Sequence, residues 1–176
     1  MPMKVEVVPH EPKWRTAFEN ESKQVACALG ANVVAIHHIG STAIPNIYAK
    51  PIIDLLVEVK DITRVDEQSA VMEVLGYEAM GEYGIPSRRF FLKDNEVGNR
   101  THHIHTFEVN SLEVERHLTF RDYLIAHPED AQKYSELKRE LAGKYSHNRD
   151  RYMDGKDGFI KEIDRQAAKW RTLQRD

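Results

Sequence analysis

The chain's 176 residues are 41% hydrophobic and 30% charged with a net charge of −3, which fits a folded domain and excludes disordered and fibrous classes. Residues 1–110 carry 11 Lys/Arg against 15 Asp/Glu, and residues 111–176 carry 14 against 13, so no basic stretch offers a broad face to nucleic acid. Cys27 stands alone and can form no internal disulfide; with no signal-peptide pattern and no apolar run near about eighteen residues, the chain reads as cytoplasmic, with no membrane span.

After the apolar run Val5 to Val8, Pro12 suits the first turn of a helix. Trp14, Phe18, Val25 and Leu29 recur at near-helical intervals and Gly30 stops them, predicting a helix with Cys27 in its core-facing stretch. "ANVVAIHHIG" predicts a strand ending at Gly40, and residues 42–50 read as a loop with room for one helical turn. "PIIDLLVEV" is almost continuously apolar, as in a central strand covered on both faces. "DITRVDEQSAVMEVLG" predicts one helix, capped by Asp61 or Thr63 and closed by Gly76. "RRFFLKD" and "RTHHIHTFEV" predict two strands around the turn "NEVGN".

From Leu112 onward the pattern is helical. One helix ends before His127-Pro128, a second covers "EDAQKYSELKRELAGKY" and a third covers "KDGFIKEIDRQAAKWRTL". Tyr134, Leu137, Leu141 and Tyr145, and further on Phe159, Ile163 and Trp170, suit helical core faces. Together these elements predict an α+β fold over a single domain, 1–176: a mixed β-sheet with packed helices and a helical C-terminal third.

One acid interrupts this pattern. Asp54 lies inside an apolar strand, where an ionised carboxylate is costly to bury without a cationic partner. Gly40, at the end of the preceding strand, allows close backbone approach to a ligand, and Ser41 and Thr42 offer hydroxyl and N–H donors suited to a phosphate. A helical turn starting near Thr42 would add a favourable N-terminal field. Asp54 on the next strand could hold a divalent ion against that phosphate. The same residues also suit a plain strand–loop–strand with a capping serine and an edge aspartate.

"HIGSTAIPNIYAKPIIDLLVEV", residues 38–59, resembles the signature of the GrpB family, which is assigned to the nucleotidyltransferase superfamily. The resemblance extends through "VVPHEPKW", "HIH" at 103–105, "FRDYLIAHPEDAQKYSELKRELA" at 120–142 and "YMDGKDGFI" at 152–160, nearly the whole chain. It implies a nucleotidyltransferase-like sheet in which Gly40 and Ser41 face nucleotide phosphates and Asp54 binds metal. A related domain is fused to some bacterial dephospho-CoA kinases, and the family's activity is poorly defined. Two positions depart from the pattern. Active nucleotidyltransferases carry a second acid two residues after the first, where this chain has Leu56; Glu58 shares a face with Asp54, but four strand residues span about 13 Å, too far to share one ion. Asn46 replaces the Gly that commonly follows Pro45, a change that a left-handed turn position tolerates.

Alternation puts His103 and His105 on one strand face, with His102, Ile104 and Thr106 on the other. Asp54, His103 and His105 would make a two-His-one-carboxylate set for Zn, Mn or Fe, with Asp54 and His105 the candidate catalytic pair. The bland alternative is a satisfied polar face with one histidine paired to Asp54. Lys50, Arg89 and Lys156 are the cations assigned to phosphate; only one of Arg88 and Arg89 can face the site, and Arg89 is preferred. His38 reads as a partner of the loop. The functional expectation is a metal-dependent protein using Mg or Mn, with Zn as the alternative, that binds a nucleotide or other phosphate-containing small molecule and transfers a nucleotidyl group. The alternatives are a non-catalytic module for a nucleotide or CoA-like ligand, and a metal-dependent hydrolase using Asp54, His103 and His105.

Overall fold

Proline fixes the φ that a helix start requires, and the first helix, α1 (Lys13–Leu29), begins immediately after Pro12. It ends at Gly30, whose φ of 62° suits glycine. The computed structural model describes residues 4–175 and gathers into two units. One comprises residues 12–39 and 52–115; the other comprises the residues before Pro12, 40–51 and those from Arg116 onward.

The first unit is a five-stranded sheet with helices. Its strands are β1 (Val33–Ile39), β2 (Ile53–Val59), β3 (Tyr77–Ala79), β4 (Arg89–Asp94) and β5 (Arg100–Glu108), in the order β1-β2-β5-β4-β3. β2 and β5 run parallel and the other neighbours antiparallel, so the sheet is mixed, as expected. β3 was not foreseen, because three residues give no alternation to read. The helix expected over 61–76 is two short ones, α2 (Ile62–Glu67) and α3 (Ser69–Val74). They part at Gln68, which leaves helical geometry while its side-chain amide donates to the terminal Leu29 carbonyl of α1 at 2.8 Å. Asp61 caps α2 as expected, accepting the Thr63 N–H at 2.9 Å.

Alternation along β2 directs Ile53, Leu55, Val57 and Val59 to one face and Asp54, Leu56 and Glu58 to the other. The first face carries α1, α2 and α3. Arg89 reaches Asp66 of α2, and Lys93 grips Glu21 of α1 at 2.9 and 3.1 Å. Leu55, Val57 and Val59 are wholly buried, each worth roughly 1.5–3 kcal/mol. On α1 the buried residues are Trp14, Glu21, Val25 and Leu29. Cys27 falls round the helix from that stripe and is exposed, which corrects its expected place in the core. His38 stacks flat on Phe18 of α1, with ring centroids 4.8 Å apart.

The second unit is helical: α4 (Leu112–Ala126, its C-terminal part in this unit), α5 (Pro128–Lys144) and α6 (Arg149–Arg175). α4 stops before His127-Pro128, as the proline demands. Ile44, Ile47, Tyr123, Leu124, Ala131, Tyr134, Ile163 and Ala167 form its main core, with Phe159 and Trp170 packed against it. Among the described residues no helix is long and apolar enough to cross a membrane.

α6 begins seven residues before the expected "KDGFI", continuing through Gly155 and Gly158. A Cβ at Gly155 would lie 2.6 Å from Leu141 Cδ2, whereas Gly158 has open space. Replacing either glycine with alanine recovers about 1 kcal/mol of helix propensity, but overpacking costs about 1–3 kcal/mol. We expect Gly158→Ala to stabilise the protein and Gly155→Ala to destabilise it in urea unfolding; equal shifts of one sign would show that Leu141 yields freely.

Candidate functional site

The site grows from one register. β2 and β5 pair in parallel with Asp54 opposite His103 and Leu56 opposite His105. β4 adds Leu92 opposite His103 and Phe90 opposite His105. Paired residues share a sheet face, so this alignment gathers Asp54, His103 and His105 on the face away from α1. His105 Nε2 lies 3.3 Å and His103 Nδ1 3.4 Å from the same oxygen, Asp54 Oδ1.

Each imidazole is held from behind by an arginine. Arg100 Nη1 is 3.2 Å from His103 Nε2, and Arg88 Nη1 is 3.3 Å from His105 Nδ1. A guanidinium only donates, so both of these ring nitrogens accept. The neutral histidines then carry their hydrogens on His103 Nδ1 and His105 Nε2, the nitrogens turned toward Asp54. Arg100 is itself paired with Asp94, while Arg88 also donates to the carbonyls of Glu82 and Tyr83. Phe90 packs 5.2 and 5.3 Å from the two histidine rings, with the Arg88 guanidinium 4.8 Å over its face. Burial pushes the Asp54 carboxyl up, but the hydrogen bonds donated by His103 and His105 act against it, and the group is held well below the usual carboxylate range.

The three expected metal ligands therefore meet, but as a hydrogen-bonded set. A metal needs the lone pairs of the two nitrogens that here carry hydrogens, so the trio as arranged does not fit zinc. Among the described residues no group of three or more His, Cys, Asp or Glu is placed to hold a metal ion. Both contacts go to Oδ1. Asp54 Oδ2 is the oxygen that a hard ion such as Mg or Mn would take.

The second acid is missing in space as in sequence: Leu56 is fully buried. Glu58 turns to His37, with its Oε2 2.6 Å from Nε2, and forms a separate pair. The preference for Arg89 is reversed. Arg89 makes a two-toothed contact with Asp66 on the helix-covered face, at 2.6 and 3.1 Å, and Arg88 faces His105. Arg88 shares its parity with Phe90 and Leu92, but two adjacent buried phenylalanines hid which parity faced Asp54.

The remaining assigned residues belong to the helical unit. Gly40 has φ 74°, and a single 3-10 turn, Ser41–Ala43, follows it with Thr42 buried. Lys50 and Lys156, more than a hundred positions apart in sequence, converge on one ring: their ammonium groups lie 4.5 and 5.0 Å from the centroid of the buried Tyr152.

Residues 4–166 match the model of the GrpB protein family, and the chain belongs to that family. The crystal structure of conserved protein GrpB from Enterococcus faecalis is 42% identical, with a TM-score of 0.89 over 93% of this chain and 98% of that one. The UPF0157 protein YqkA of Bacillus subtilis is 44% identical over 96% of this chain and 48% of its own length. A dephospho-CoA kinase of Mycolicibacterium paratuberculosis is 22% identical over 94% of this chain and 46% of its own length. The chain thus spans about half the length of these two curated relatives.

Nitrogen-15 spectra should show His103 as the Nδ1–H tautomer and His105 as the Nε2–H tautomer at a pH where both are neutral; the opposite pattern would show that the arginines do not set them. A carboxyl held below its ordinary value of 3.8 adds stability above that pH and loses it as pH falls toward the folded value. Asp54→Asn should therefore cost about 1–3 kcal/mol at pH 7, with the gap to wild type narrowing only below about pH 4. A gap that stays constant down to about pH 3 would mean that Asp54 is not depressed.

Proposed function

We propose that the chain binds the phosphate groups of a nucleotide or CoA-like ligand at the Asp54 centre and, as a nucleotidyltransferase-fold protein, transfers a nucleotidyl group. The observation that carries this reading is an ionised, partly exposed carboxylate fixed between two imidazoles, each anchored by a guanidinium. A carboxylate held so far below the working pH is a weak base, so Asp54 acts through its charge and not by removing a proton. His105, whose Nε2 lies 3.3 Å from Asp54 Oδ1, keeps the proton-passing role assigned to it from the sequence. A divalent ion, Mg or Mn, would be held through Asp54 Oδ2 with the ligand's own phosphate oxygens, and would supply neutralising charge. Gly40, Ser41, Thr42, Lys50 and Lys156 are assigned to phosphate from the sequence. Arg89 is not, because Asp66 already engages it.

Leu56 favours a second reading, binding without transfer, because it removes the carboxylate that would hold another ion. Both readings share one test. Nucleotides and CoA precursors, each with Mg, Mn or Zn, are screened by melting temperature on wild type and Asp54→Asn. A ligand at a hundred times its dissociation constant adds roughly 2.7 kcal/mol, a plainly visible shift. We expect a Mg- or Mn-dependent shift that the variant loses. Turnover with an acceptor separates transfer from binding, and a shift that the variant keeps would sink the Asp54 assignment. Stoichiometric zinc in protein purified without a metal-binding tag would instead favour the hydrolase reading.

A further inference from the structure

The loop between β3 and β4 holds an unusual tyrosine. Four of its residues have left-handed backbone: Gly81 at φ 63°, Tyr83 at 48°, Gly84 at 90° and Ser87 at 66°. Glycine accepts this geometry freely, whereas a bulky side chain at positive φ is strained by its own Cβ. Tyr83 keeps it because the loop is tied from within. Arg88 donates to the Tyr83 carbonyl at 2.7 Å and to the Glu82 carbonyl at 3.2 Å, and the Ser87 N–H donates to Glu82 Oε2 at 2.6 Å.

The strain does not serve to bury Tyr83, which is 56% exposed as a residue. One face of its ring lies flat on Phe90, with centroids 5.1 Å apart and planes 8° from parallel. Phe90 in turn touches both His103 and His105. The guanidinium that fixes the Tyr83 carbonyl is also the one behind His105. A rigid aromatic plane is therefore held open to solvent, two ring contacts from Asp54's partners, at a backbone position where asparagine or glycine would be easier.

We propose that Tyr83 is the stacking platform for the planar base of the ligand whose phosphates meet Asp54. The assignment rests on the nucleotide reading above and adds which part of the ligand the sheet unit recognises. A π-face selects a ring of any base over a bare phosphate chain, without choosing among bases by hydrogen bonds.

The test is calorimetric titration of the full chain with Mg and each of four nucleoside triphosphates or inorganic tripolyphosphate, on wild type, Tyr83→Asn and Tyr83→Phe. Asparagine removes the ring and suits the left-handed backbone, so the loop geometry is kept. Tyr83→Asn should weaken nucleotide binding about tenfold or more, the scale of one base–aromatic stack, and leave tripolyphosphate within about twofold. Tyr83→Phe should bind nucleotides like wild type. Nucleotide affinity unchanged in Tyr83→Asn overturns the proposal, as does an equal loss for tripolyphosphate or an equal loss in Tyr83→Phe. Wild type that binds tripolyphosphate but no nucleotide overturns the stacking assignment alone. Wild type that binds neither overturns the nucleotide reading along with it.

Discussion

The sheet unit is organised around one electrostatic demand: a carboxylate placed in an apolar strand must be met by donors. Asp54 is flanked on β2 by Ile53 and Leu55, both buried, and its own strand supplies nothing to neutralise it. The donors come from β5, and only the parallel pairing of β2 with β5 puts them opposite. Slipping that register by one residue would turn His103 and His105 to the helix-covered face and bring His102 and Ile104 to Asp54. Strand pairing and site chemistry are thus one constraint, and the arginines behind the histidines carry it outward to Asp94 and to the Glu82–Tyr83 backbone.

The opposite face solves a similar problem by other means. Glu21 is buried on α1, where Lys93 meets both its oxygens and His102 Nε2 lies 3.1 Å from Oε2. Burial pulls His102 below the ordinary histidine range, against the pull of the Glu21 charge. Removing one partner from such a buried pair typically costs about 3–5 kcal/mol, so this cluster fixes α1 on the sheet. The two faces of the sheet therefore serve opposite ends: Lys93 locks a helix on one, and His103 braces the presented carboxylate on the other.

Much of this was legible in the sequence. Periodicity gave α1, the β1, β2, β4 and β5 strands and the C-terminal helices, because each is long enough to repeat its pattern. The alternation of "RTHHIHTFEV" placed His103 and His105 together, and the lone acid in "PIIDLLVEV" marked Asp54. What stayed hidden was tertiary. Nothing local tells that Gln68 would break a helix to cap α1, since its partner Leu29 is 39 positions away. Cys27 looked apolar by its neighbours, yet the buried stripe passes through Val25 and Leu29. Arg88 acts through His105, which the pairing of β4 with β5 brings near, and whether an arginine at the edge of a strand faces one side or the other is a question of register.

The arginine backing has a consequence for how such a site can change. The hydrogens on His103 Nδ1 and His105 Nε2 are fixed by groups that never touch Asp54. An acceptor such as glutamate in place of Arg100 and of Arg88 would draw those hydrogens to the far nitrogens and turn two lone pairs toward the carboxylate. The same three side chains would then present a facial ligand set for a transition metal, with no first-contact residue altered. In this sheet the choice between a proton-lined anion cradle and a metal centre is encoded one layer away from the atoms that would do the chemistry.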